Sequence, residues 1–182
     1  MSIFEIIEEV FYLNKKKALG ILEYALAKEI EGMQFYESKS KTVKIKQVKE
    51  TFEELSNMEK NHADYITSLI NEIDEHDYVH FRQETDIGQS FRKKAEQEIP
   101  YSGDFTALRS DIPVLKMAYL IEEDFMNFYN QAAERVEDEE LKKILKHLAE
   151  WEKNHRDMIY KLYQKTAKDY WEHVEVEPLF YS

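Results

Sequence analysis

The sequence predicts an all-α fold: a four-helix bundle made of two repeated antiparallel hairpins joined by a long crossover. Three observations carry this. Glycine and proline number four and three in 182 residues, against the roughly 13 and roughly 9 that average usage would supply, and their scarcity favours helix over turn-rich β structure. Neither residue occurs from Met33 to Ile87 or from Val114 to Glu177, whereas Gly88, Pro100, Gly103 and Pro113 gather in one stretch. Finally, sliding the chain against itself by 93 positions aligns residues 25–70, without a gap, on a second copy with 15 identities in 46 positions. That is an internal repeat, and the matched residues include glutamate, histidine and aromatics at interior positions, which shared leucine and lysine alone do not produce.

The elements follow in order within one domain, 1–182. Residues 2–13 read as a short amphipathic helix packed outside the bundle. Hairpin 1, about 16–75, opens with a helix whose buried stripe is Leu22, Ala25, Glu29, Met33 and Tyr36. Its turn falls at Lys41–Lys46. The second helix steps by four and three through Val48, Phe52, Leu55, Glu59, His62, Ile66, Leu69 and Ile73, the period of one buried face. The crossover, about 76–112, has to carry the chain along the full bundle length, and Asp86–Ile99 reads as a further helix within it. Hairpin 2, about 113–168, repeats the pattern with Leu115, Ala118, Glu122, Met126 and Tyr129, a turn at Glu134–Glu140, and Leu141, Leu145, Leu148, Glu152, His155, Ile159 and Leu162. The tail, 169–182, is aromatic but unpatterned.

Composition excludes several classes of function. With 37 acidic and 25 basic residues the net charge is −12, which repels phosphate backbones and anionic membranes. No nucleic acid and no membrane are expected as partners. Cysteine is absent, which removes disulfides, thiolate zinc sites, cysteine-held iron–sulfur centres and a thiol nucleophile. Apolar runs such as Val10–Leu13 and Met117–Ile121 reach at most five residues, far short of the ~20 that span a bilayer. The acidic start, with Glu5, Glu8 and Glu9, does not read as a secretory signal. The expected location is the cytoplasm.

Six polar residues occupy positions where the helical period calls for apolar ones: Glu29, Glu59, His62, Glu122, Glu152 and His155. A buried ionised carboxylate without a partner is costly enough to take up a proton instead, so four in one core need compensation. Glu29 and Glu59 each lie about 15 residues, roughly 22 Å, from the same hairpin turn, so they stand level, and Glu122 and Glu152 repeat that spacing. Within each Glu-x-x-His the i and i+3 positions share a face and can hold one ion. One glutamate from each of two helices with Glu-x-x-His from each of the other two is the di-iron or di-manganese signature of ferritin-like bundles, and the fold class is ferritin-like. Four carboxylates neutralise two divalent ions, and this oxygen and nitrogen set suits iron, with manganese as the alternative. Glu123 adjoins Glu122, but the repeat aligns Glu29 with Glu122. Tyr36 and Tyr129 follow the bridging-type glutamates Glu29 and Glu122 by seven residues, where their hydroxyls can bond a ligand carboxylate or supply a proton. His76 and His80, four apart, sit in an acidic strip that reads as a solvated helix end, and His147 falls off the inner stripe.

The motifs Ala25-x-x-x-Glu29-x-x-x-x-x-Phe35-Tyr36, Glu59-Lys-Asn-His62, Ala118-x-x-x-Glu122-x-x-x-x-x-Phe128-Tyr129 and Glu152-Lys-Asn-His155 resemble the rubrerythrin branch of the ferritin-like superfamily, over roughly residues 18–70 and 112–165. The resemblance implies a centre of two iron ions that reduces hydrogen peroxide. Without cysteine the rubredoxin-like module of many rubrerythrins is missing, so electrons are expected from an external donor such as a rubredoxin-like protein, and the expected assembly is a homodimer. Rubrerythrins also tend to carry an extra carboxylate three residues after the third-helix glutamate, where Phe125 stands here. In that respect the ligand set is similar to ferroxidase centres, which oxidise Fe(II) with oxygen, and to di-iron hydroxylases.

Overall fold

The computed structural model describes residues 3–76 and 105–174. Among them are four helices and no strand: α1 Ile3–Ser40, α2 Lys46–His76, α3 Phe105–Arg135 and α4 Glu139–His173. Helices α1 and α2 pack along each other, as do α3 and α4, while the two hairpins meet more loosely. The chain is thus a ferritin-like bundle of two antiparallel hairpins. No helix among the described residues is long and apolar enough to cross a membrane.

The core divides into two apolar clusters. One gathers Tyr36, Val43, Val48, Phe52, Leu108, Leu115, Ile159 and Leu162 at the end where hairpin 1 turns. The other gathers Leu22, Ile66, Leu69, Ile73, Tyr129, Val136, Leu141 and Leu145 at the end where hairpin 2 turns. The two turns therefore lie at opposite ends of the bundle. It follows that α2 finishes at the end opposite the start of α3, and residues 77–104 connect the two ends, as a long crossover requires.

Each turn is closed by a carboxylate. Asp138 caps α4 by accepting from the Leu141 amide at 2.8 Å, the ordinary way of satisfying one of the first free N–H groups of a helix. The turn before α2 is held from a distance: the buried Asp111 of α3 accepts with one oxygen from the amides of Lys44 and Ile45, each at 2.8 Å. At the other end Lys17 donates to the Arg135 carbonyl at 2.6 Å, tying α1 to the last turn of α3.

The turns at 41–46 and 134–140 fall where the sequence places them, but three boundaries differ. Residues 2–13 are not a separate outer helix: from Ile3 onward they belong to α1. No proline interrupts 3–40, and Gly20, around which a Cβ would meet nothing within 4 Å, costs only about 1 kcal/mol within a helix. Helix α3 begins at Phe105 and runs through Pro113, where the expected hairpin began. Proline removes a helical hydrogen bond and crowds the preceding turn, yet buried Ala107, Leu108 and Asp111 anchor that turn to the bundle. Helix α4 likewise continues past 168 to His173, because Tyr170 and His173 both stack on Phe105, with ring centroids 5.1 and 5.0 Å away. The expected crossover helix at Asp86–Ile99, His80 and residues 175–182 lie outside the described residues.

Candidate metal centre

Between the two apolar clusters lies a polar layer. Glu29, Glu59, Glu122 and Glu152 are each 0% exposed, His62 3% and His155 1%. All six arrive there by helical period, one glutamate from α1, one from α3, and a Glu-x-x-His from α2 and from α4.

The layer has a pseudo-two-fold arrangement about the two histidines, whose rings lie parallel with centroids 5.1 Å apart. Nδ1 of His62 faces Glu29 Oε2 at 3.2 Å, Glu59 Oε2 at 3.2 Å and Glu152 Oε1 at 3.3 Å. Nδ1 of His155 faces Glu59 Oε1 at 3.0 Å, Glu152 Oε2 at 3.5 Å and Glu122 Oε2 at 3.6 Å. Glu59 and Glu152 thus place one oxygen beside each histidine, while Glu29 and Glu122 serve one histidine apiece. This corrects the sequence reading of Glu29 and Glu122 as the bridging pair. The shared carboxylates are those of the Glu-x-x-His motifs, because the histidine three residues on brings its own glutamate to the midline between the rings.

Both tyrosines reach the layer, each across the bundle. Tyr36 of α1 donates its hydroxyl to Glu122 Oε1 of α3, and Tyr129 of α3 donates to Glu29 Oε1 of α1. Glu123 points elsewhere, accepting from the Tyr119 hydroxyl at 2.9 Å.

The electrostatics are those of crowded carboxylates in a dry core. Burial pushes Glu29 and Glu122 well above the usual carboxylate range, with repulsion from Glu152 adding at Glu29 and from Glu59 at Glu122. Burial acts on Glu59 too, but the charge of His155, its bond to Glu59 Oε1 and the nearby His62 hold this carboxyl below the usual range. Glu152, although buried and repelled by Glu59, is also lowered by the His155 and His62 imidazoles that face it. Burial disfavours the charged imidazoles, yet the surrounding carboxylates push both His62 and His155 well above the ordinary histidine value. Burial and the same carboxylates raise both tyrosines well above the ordinary phenol value, so they stay protonated.

The donor set fits a pair of divalent cations. Glu59 Oε2, Glu122 Oε2, both oxygens of Glu152 and His155 Nε2 are buried and make no hydrogen bond, a state that costs a few kcal/mol per group unless something else satisfies it. Among the described residues, ligand atoms of Glu59, His62, Glu152 and His155 lie within 4.8 Å of one another. That group could bind metal ions.

Three contributors escape the sequence reading. Gly32 lets α1 approach: a Cβ there would stand 3.1 Å from Phe125 Cε2 and 3.5 Å from Glu59 Cγ. Its repeat mate is Phe125 itself, and a glycine aligned with a bulky residue three positions past each glutamate is the signal that was available. Phe125 in turn lies under the Lys28 ammonium, 4.7 Å from its ring centroid, and Lys28 pairs with Asp124 at 2.6 Å. Trp151 stacks on His62, centroids 4.4 Å apart and planes 14° from parallel. It precedes Glu152 and replaces the Met58 of the first repeat.

Comparison with known proteins agrees with the geometry. A family model described as Rubrerythrin matches residues 20–102 and 113–181. No curated protein matches the chain. Among solved structures, a hypothetical protein from Pyrococcus furiosus is similar in fold, with a TM-score of 0.60 at 23% identity, covering 83% of this chain and 90% of that one.

Proposed function

The chain belongs to the rubrerythrin family, and on that premise we propose that it is a non-haem di-iron oxidoreductase that reduces hydrogen peroxide with electrons from an external one-electron donor. One observation carries the reading most directly: two histidine nitrogens each face three carboxylate oxygens, and two of the carboxylates are shared between them. His62 with Glu29 would hold one ion and His155 with Glu122 the other, Glu59 and Glu152 contributing an oxygen to each. Four carboxylates then balance two divalent charges, which removes the burial penalty of the metal-free layer. Manganese suits the same donors, and iron is the reading adopted.

When bound, two ferrous ions supply the electrons, one from each, that peroxide needs. The residues supply position and protons. Tyr36 and Tyr129 hold Glu122 and Glu29 in orientation by donating to the oxygen that would not bind metal, as groups behind a ligand commonly do. Conversion of hydrogen peroxide to two waters consumes two protons, and the two phenols are the protonated groups already bonded to ligand carboxylates. The apolar clusters above and below the layer exclude bulk water, strengthening every charge interaction within.

A second reading, iron handling with oxygen as oxidant, is favoured by Phe125. Packed on Gly32, it stands where a further carboxylate would give the second ion another ligand. A hydroxylase reading would need a large apolar pocket beside the ions. Mixing anaerobic ferrous-loaded protein with stoichiometric peroxide or with oxygen, followed by stopped-flow absorption, decides between the first two. Faster reaction with peroxide is the expected result. Faster reaction with oxygen, with turnover of excess Fe(II) to a ferric mineral, overturns the peroxidase reading in favour of iron handling.

A further inference from the structure

The polar layer is nearly symmetric, but its surroundings are not. Each Glu-x-x-His glutamate is preceded by a buried residue, Met58 on α2 and Trp151 on α4. On the Met58 side the repeat places a thioether. On the other, the Trp151 indole lies flat against the His62 imidazole, centroids 4.4 Å apart and planes 14° from parallel. The outer side of the indole meets the ring of His147, 4.6 Å away and inclined at 56°. His147 is half-buried, one helical turn before Trp151 and facing the surface. His147, Trp151 and His62 therefore form a continuous line of aromatic contacts from the edge of the protein to a metal ligand.

We infer that Trp151 is the electron relay into the centre, carrying electrons inward from the side of α4 where His147 lies to His62. This rests on the di-iron reading above. The chain has no cysteine and so no redox cluster of its own held by thiolates. A centre buried between two apolar clusters needs a route for electrons that does not admit solvent. Electron transfer through a packed protein weakens steeply with every through-space gap, and rings with centroids 4.4 and 4.6 Å apart keep each gap to van der Waals contact. The balance is simple: each event oxidises the carrier by one electron and reduces the centre by one, two such events restore the electrons that one peroxide removes, and Trp151 is left unchanged. The asymmetry of the repeat follows from the same role, since one entry route is enough.

The absence of cysteine makes the test direct. A single cysteine in place of exposed Lys146, beside His147, is labelled with a thiol-reactive ruthenium photoreductant. A control protein carries the label in place of exposed Lys116, which precedes Glu122 by the same six residues that separate Lys146 from Glu152. Reduction of the ferric-loaded centre after a flash is followed by absorption. Trp151→Met copies the other repeat and removes the ring, and Trp151→Phe keeps a ring in the stack. Reduction from position 146 should slow several-fold in Trp151→Met and stay close to wild type in Trp151→Phe, while reduction from position 116 is unchanged in both. Equal rates from position 146 in all three proteins, or equal slowing from both labels, overturns the relay and leaves the di-iron reading standing. Unaltered metal content in the variants, measured alongside, separates loss of the route from loss of the site. A wild-type protein that retains no iron overturns the underlying reading, and the relay with it.

Discussion

Tyr36 and Glu122 stand 86 positions apart in the chain, yet the Tyr36 hydroxyl donates to Glu122 Oε1 in the centre of the bundle. Tyr129 and Glu29 form the mirror bond, so each hairpin supplies the group that orients the other's carboxylate. The four residues lace α1 to α3 at the level of the polar layer. Replacing Tyr36 by phenylalanine removes the donor and leaves a buried carboxylate oxygen unpaired, a loss of about 1–3 kcal/mol. Metal affinity should also fall, by about 10–100-fold if this bond behaves like others behind a ligand. Calorimetric titration with Mn(II), alongside thermal melting of the metal-free protein, checks both. A melting temperature and affinity equal to wild type would show that the bond orients nothing.

The metal-free protein should lose stability as pH rises through neutrality. Folding raises His62 and His155 above their unfolded value of 6.5, and raises Glu29 and Glu122 above 4.5. For each of these the native state binds more protons, so its contribution is complete below the unfolded value and disappears as pH climbs through the folded one. Glu59 and Glu152 are lowered, so theirs is present above 4.5 and lost in acid. The melting temperature of metal-free protein should therefore peak on the acid side of neutrality and decline toward higher pH. Saturating Fe(II) under anaerobic conditions, or Mn(II), should raise it by mass action, the folded state gaining about 2.7 kcal/mol at one hundred times the dissociation constant. Melting curves across pH with and without metal are sufficient, and indifference to metal at every pH would count against a buried site.

Glu29→Gln separates the charge of that residue from its shape. The amide oxygen can still accept from Tyr129, but the side chain no longer has to be kept neutral as pH rises. In metal-free protein the substitution should be near neutral in mild acid and increasingly stabilising above it, while metal stoichiometry or affinity declines. A stabilisation of the same size at all pH values would mean that Glu29 is not the raised group.

Two glycines in α1 should respond in opposite ways to alanine. Gly20 has open space around its Cβ position, so Gly20→Ala should stabilise by about 0.5–1 kcal/mol through helix propensity and unfolded-state entropy. At Gly32 a Cβ meets Phe125 at 3.1 Å, and Gly32→Ala should destabilise by about 1–3 kcal/mol through overpacking beside Glu59. Trimming the partner in Gly32→Ala/Phe125→Leu should recover much of that loss. Chemical denaturation of the three variants tests the contact, and a destabilised Gly20→Ala would contradict the open geometry.

Asp111→Ala should cost about 1–3 kcal/mol, since the amides of Lys44 and Ile45 lose their shared acceptor inside the protein. Hydrogen exchange gives the sharper readout. Those two amides should lose protection first, and protection that survives the substitution would mean that another group holds this turn.

The all-helical class, the two turns and the burial of the six polar residues of the layer are determined by the sequence alone. Each rests on a local rule: a period of three and four places Glu59 and His62 on the same face as Phe52 and Ile66, and the 93-residue repeat shows that Glu152 and His155 do the same. Tertiary structure decided everything that depends on how one hairpin meets the other. It made Glu59 and Glu152, rather than Glu29 and Glu122, the shared carboxylates, crossed the two tyrosines between hairpins, and brought Asp111 to the Ile45 amide 66 positions away. It also carried α3 through Pro113, because Phe105 packs on Tyr170 and His173. Helical periodicity specifies which face of a helix is buried. The depth and angle at which two faces meet are set by the summed packing of side chains distant in the chain, and those distances determine which oxygen stands beside which nitrogen.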